Sequence, residues 1–260
     1  MFSVIFKTEK LPPVQTVSKI ISEFKQILIY DAARISNKNY GFAGENLTEP
    51  DADRLISICS KNGIEAMKVE NEKIKKFNNP TTITNLSFEN QNLNYKLNDA
   101  ISSHKLEDIS VLACAQIEYN VSKTITTKEG PSAGEKAIRI GIMMTTGLPI
   151  GTGKGKEVKK EIKNTETTSY LDIVFINEVH LRINSDHFDY SCLKEKKTYS
   201  TNMNFKLLSA QISSLCPKAL KNSPLFDLIE NKPLSIRYES ITDMEKDLSR
   251  LVYLRSARIL

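Results

Sequence analysis

Glycine and positive charge are concentrated in one part of this chain, and that concentration organises the rest. Between Asn120 and Thr168 lie seven of the ten glycines, with nine Lys or Arg residues against five glutamates. The stretch carries +4 of the formal net charge of +5, which leaves the remainder nearly neutral. Ordering glycine costs more backbone entropy than ordering any other residue. A segment so rich in it reads as a long excursion between two structured halves.

Those halves have the material for two cores. The chain has 260 residues, 40% hydrophobic and 26% charged, which excludes disorder, collagen-like order and a disulfide scaffold. Lys7, Glu9 and Lys10 follow the first apolar residues too soon for a secretory signal. No apolar run approaches the length of a membrane-spanning helix, so a cytoplasmic location is expected. The Asn-x-Ser/Thr triplets at Asn46, Asn85 and Asn120 are then chance matches. Cys59, Cys114, Cys192 and Cys216 are spaced too widely for a zinc or redox motif. No cofactor or metal is expected.

Residues 2–7 alternate as a strand. Val14, Val17, Ile20, Ile21 and Phe24 recur at helical spacing behind Pro12-Pro13. Asp31 can cap a short helix, and an extended segment follows at 40–43. Thr48, Pro50 and Asp51 open another helix, which Gly63 stops, and Ile64 to Val69 return as a strand. This β-α-β-α-β order over 1–78 predicts a ferredoxin-like α/β sandwich.

Over 79–217 the period changes to two and predicts an antiparallel β domain, interrupted by the excursion at 121–168. Strands are expected over 82–88 and 93–97, with His104 in a polar linker. Ile109, Val111, Ala113, Ala115, Ile117 and Tyr119 form the apolar face of a half-buried strand. A hairpin around Ser185-Asp186 would set Arg182 against Asp189 and His180 against Ser191. Phe205, Leu208, Ile212 and Leu215 then mark a helix ended by Pro217. Residues 218–260 add two more helices, opened by Ser223-Pro224 and by a Thr242–Glu245 capping box, packed on the body.

Antiparallel strands closed by one helix, with Leu106-Glu107-Asp108-Ile109 leading into a strand and Phe188-Asp189-Tyr190 before the last turn, resemble the pleckstrin-homology-like architecture of many bacterial proteins. The resemblance covers roughly residues 80–120 and 169–217. The whole layout is similar to bacterial cytoplasmic proteins that join a ferredoxin-like half to a pleckstrin-homology-like half. It implies an α+β fold and no particular activity.

The excursion holds the candidate functional residues. Gly151, Gly153 and Lys154 suggest a phosphate cradle. However, Leu148 and Gly155 break the P-loop spacing, and Pro149 removes a donor. Ser132 to Glu135 can cap a helix over 137–145, or Ile138, Ile140, Ile142 and Met144 can line a strand. Either form sets an apolar face beside a lysine cluster, which suits a partner groove or an anionic membrane surface. The paired expectation is thus a non-enzymatic binding or regulatory protein acting through 130–163, with Met143, Met144, Lys154, Lys156, Lys159 and Lys160 as its contacts. A nucleotide-binding enzyme using Gly151–Lys156 is the alternative. The basic cluster has no aromatic partner before Tyr170, so specific nucleic-acid reading is not indicated. His180 and His187 would lie about 13 Å apart on the hairpin, too far to share a metal.

Overall fold

The computed structural model describes residues 1–77, 79–97, 100–129 and 156–260. They form a mixed α+β chain that divides into two compact units. One comprises Met1–Ile117 with Thr168–Leu260, and the other comprises Glu118–Thr167.

The larger unit begins with strand β1 (Phe2–Phe6), which pairs antiparallel with β2 (Phe42–Leu47) on one side and β3 (Ala66–Glu70) on the other. Side chains alternate across a strand. Val4 and Phe6 therefore face α1 (Val14–Lys25), α2 (Ile29–Ser36) and α3 (Glu49–Lys61), while Ile5 faces a second core. The Thr48 hydroxyl caps α3 by accepting from the Asp51 N–H, and Gly63 adopts φ +72° just beyond its end. Asp31 is not a cap; α2 starts earlier, behind Leu28, and Asp31 lies in its first turn. There its charge still favours the positive end of the helix.

A five-stranded sheet follows in the order β11-β8-β9-β10-β4. Its strands are β4 (Thr81–Ile83), β8 (Ile109–Glu129), β9 (Lys156–Phe175), β10 (His180–Asn184) and β11 (Leu220–Lys221). A separate antiparallel sheet of β5 (Leu86–Glu89), β6 (Asn92–Leu97) and β7 (Ala100–Lys105) covers part of it. Strand β8 is buried on both faces rather than one. Leu112 and Cys114 join the core beneath β5, β6 and α4 (Thr201–Leu215), while Val111, Ala113, Ala115 and Ile117 join the core beneath α6 (Ile241–Ser256). Met244, Leu248, Leu251 and Leu254 of α6 are fully buried there, each contributing roughly 2 kcal/mol through the hydrophobic effect.

The domain expected to be antiparallel contains one parallel pairing, β10 with β4, and its strand β8 takes a second from β11, in the 218–260 segment expected to be helical. Asn222, just after β11, prolongs the second. Its amide donates to the Cys114 carbonyl at 2.8 Å, and its side-chain oxygen accepts from the Cys114 N–H at 2.9 Å. It also caps α5 (Ser223–Glu230), accepting from the Leu225 N–H. The capping box of α6 lies two residues earlier than expected, between Ser240 and Asp243.

The expected hairpin around Ser185-Asp186 does not form. Strand β10 turns back on β9 instead, with Arg182 opposite Asp172 and His180 opposite Val174. Beyond Asn184 the chain takes 3-10 turns at Ser185–His187 and Tyr190–Lys196. The Asn184 and Asp189 side chains accept from the N–H groups of Asp186 and Ser191, so local Asx turns replace strand pairing. His104 lies on β7 rather than in a linker, stacked on Tyr95 and tilted against Phe175.

Candidate functional site

Of the six residues expected to make contacts, Met143, Met144 and Lys154 lie outside the described residues, as does the Gly151–Gly153 turn. Lys156, Lys159 and Lys160 fall on β9. Strand β8 continues to Glu129 and its neighbour β9 starts at Lys156, so residues 130–155 link two strands that are hydrogen-bonded in one sheet. The excursion therefore begins and ends as strand. Its flanks carry the β-branched residues Val121, Thr124, Ile125, Val158 and Ile162, which favour pleated backbone.

The larger unit contains two buried ionic networks. The first grows from the β9–β10 register, which sets Arg182 across from Asp172. The guanidinium is bidentate, Nε to Oδ1 at 2.7 Å and Nη2 to Oδ2 at 2.6 Å, and Nη2 also reaches Glu245 Oε1 of α6 at 2.9 Å. His180 Nε2 lies 2.8 Å from Asp172 Oδ2. The Asp172 side chain is wholly buried, and those of Arg182 and His180 are 11% and 7% exposed. Burial disfavours the Arg182 charge, but the bonds from Asp172 and Glu245 outweigh it and raise its pKa. Arg182 is thus held as a permanent cation that ties α6 to the sheet.

His180 packs edge-on against Phe77, with its Nδ1 buried and unpartnered among the described residues. An imidazole oriented by a carboxylate can act as a base, given a nucleophile to activate. Ser191, its expected neighbour, is committed elsewhere, donating from Oγ to Asp189 Oδ2 at 2.8 Å. The arrangement orients a ring without assembling a catalytic pair. Sequence reasoning missed Asp172. Its signal was a lone carboxylate inside the apolar run Leu171-Asp172-Ile173-Val174-Phe175, where a buried charge demands a partner.

The second network centres on Arg250, fully buried beside Asp247. Its Nε donates to Asp247 Oδ1 at 2.9 Å, and Nη1 donates to the carbonyls of Phe6, at 3.1 Å, and Thr8. Tyr238 Oη donates to the other Asp247 oxygen at 2.8 Å. Burial and the Asp247 carboxylate push the Tyr238 hydroxyl well up, so it stays a donor. The Arg250 bonds to the Phe6 and Thr8 carbonyls fasten α6 against the start of the chain.

The cysteines are free thiols, and burial raises all four. Cys59 and Cys216 are pushed up to about 11. At pH 8 that leaves only about 0.1% thiolate, the reactive form. Titration with Ellman's reagent at pH 8 is expected to modify at most Cys192, the one partly exposed thiol, until denaturant is added. Two or more fast thiols in the native protein would contradict this burial.

Among the described residues no group of three or more His, Cys, Asp or Glu side chains could hold a metal ion, and no helix is long and apolar enough to cross a membrane. Comparison of the chain with protein-family models, curated proteins and solved structures found no match.

Proposed function

We propose that this chain is a non-enzymatic cytoplasmic binding or regulatory protein whose 130–163 segment contacts an acidic partner protein or an anionic membrane surface. The observation that carries this reading is the composition of that segment and its position in the chain between two strands. A glycine-rich stretch with most of the chain's net positive charge joins the paired strands β8 and β9. Clustered lysines attract anionic surfaces by long-range electrostatics and need no rigid pocket. The buried charges of the larger unit are taken up in fastening α6, which supports a binding role over a catalytic one.

In fold terms we read the β1–α1–β2–α3–β3 half as ferredoxin-like and the β8–β10 sheet with α4 as pleckstrin-homology-like. The two parallel edge pairings depart from the latter pattern.

Vesicle flotation tests the proposal, using membranes with and without about one-third phosphatidylserine, alongside affinity capture on the same chain. Lysines near an anionic surface contribute about 1 kcal/mol each. Lys159→Glu with Lys160→Glu is therefore expected to weaken anionic-surface or partner binding by roughly 30-fold or more. Replacing residues 130–155 with Asn-Gly removes Met143, Met144 and Lys154 but keeps Lys156, Lys159 and Lys160, so it should weaken binding without abolishing it. Unchanged binding in both variants would sink the reading. Stabilisation by ATP that Lys154→Ala removes would favour the nucleotide alternative.

A further inference from the structure

On the α6 side of the larger unit lies a groove of about 620 Å³, within the size range of small-molecule sites. It lies where the segment leading to Phe77, the end of β9 and the last turn of α6 meet, and its lining includes Phe77, Ile176, Val252, Arg255 and Arg258. Lys75 and Glu178 on the rim satisfy each other at 2.6 Å. Arg255 and Arg258 have no ion-pair or side-chain hydrogen-bond partner among the described residues. Arg255 and Arg258, both without such a partner, therefore line one concavity.

The backbone shows how the second of them is placed. Helix α6 closes with a bond from the Ile259 N–H to the Leu254 carbonyl at 3.0 Å and another from the Arg258 N–H to the Arg255 carbonyl at 3.1 Å. This turn sets Arg258 at φ +54°, the left-handed position that glycine occupies most easily.

The apolar lining narrows the class of ligand. Ile176 is 64% exposed, Leu260 38% exposed and Val252 half-buried, so the open apolar surface is aliphatic. Phe77 and Phe175, at 6% and 1%, are too covered to stack on a planar base. Guanidinium forks match carboxylate and phosphate oxygens.

We propose that this groove binds a small anionic amphiphile, its carboxylate or phosphate-ester head on Arg255 and Arg258 and its aliphatic tail along Val252 and Ile176. The site uses no residue of the 130–163 segment, so it stands or falls separately from that segment's role. Isothermal titration of the full chain with octanoate, octyl phosphate, octanol and inorganic phosphate tests it. Octanoate and octyl phosphate are expected to bind at least tenfold more tightly than octanol or inorganic phosphate. Arg258→Gly relieves the left-handed backbone, so it should hold or raise the melting temperature while weakening octyl phosphate at least tenfold. Arg255→Ala should weaken it similarly. Failure of both amphiphiles to bind the intact chain would overturn the proposal. So would undiminished binding in Arg258→Gly, or equal binding of octanol or inorganic phosphate.

Discussion

Arg250→Ala is expected to lower the unfolding free energy by about 3–5 kcal/mol, the range for breaking one side of a buried ion pair. The guanidinium is wholly buried, and its removal strands the Asp247 carboxylate together with the carbonyls of Phe6 and Thr8. Gly41 is the other half of the arrangement. Its φ is +87°, and a Cβ there would lie 2.1 Å from Arg250 Nε. Gly41→Ala alone should therefore cost roughly 2 kcal/mol or more, from backbone strain and overpacking. In the Gly41→Ala, Arg250→Ala double variant the clash has gone, so the two costs should fail to add by about 1 kcal/mol or more. Urea unfolding of the four proteins measures this. A loss under about 1 kcal/mol for Arg250→Ala would refute the network's role, against the range for such pairs.

Asp172→Ala should have a comparable effect, about 3–5 kcal/mol, because it leaves Arg182 buried with Glu245 alone and His180 without its partner. The two networks should nevertheless respond differently to apolar replacement. Asp172 and Arg182 bond through side chains on paired strands, so Asp172→Leu with Arg182→Leu should recover at least half of the loss, as apolar substitutes for buried pairs often do. Arg250→Met with Asp247→Leu should recover little, since the Phe6 and Thr8 carbonyls would still lack a donor. Equal recovery in the two pairs would show that the backbone carbonyls matter less than the charges.

Legibility in the sequence followed the range of the interaction. The Thr48 cap, the left-handed Gly63 and the start of α5 at Ser223-Pro224 are settled within a few residues, and each was readable. The run 109–117 was readable as strand, yet its second buried face was not, because Leu112 and Cys114 share that face with the polar Ser110, Gln116 and Glu118. The hairpin failed for an instructive reason. Sorting residues by polarity sent Arg182 and His180 to a solvent face, whereas Asp172 gives both a buried partner. Polar pattern and solvent exposure part company wherever charges are paired inside. Strand β7 escaped because Ala100–Lys105 is an exposed edge strand without a buried stripe. Of the expected contact residues, the strand position of Lys156, Lys159 and Lys160 follows from neighbouring β-branched residues, while the Arg255–Arg258 groove depends on a helix end meeting the close of a distant strand.

Arg250 is 244 positions beyond Phe6, the carbonyl it serves. On a ribosome adding about 5–20 residues per second, that gap lasts roughly 10–50 s. During that interval the first three strands and three helices can gather around their own apolar interior, but the carbonyls that α6 will claim remain open to water. A nascent chain paused short of residue 250 would present that unlatched layer to holdase chaperones and proteases. Synonymous changes that slow translation late in the message should therefore lower yield more than the same changes placed early.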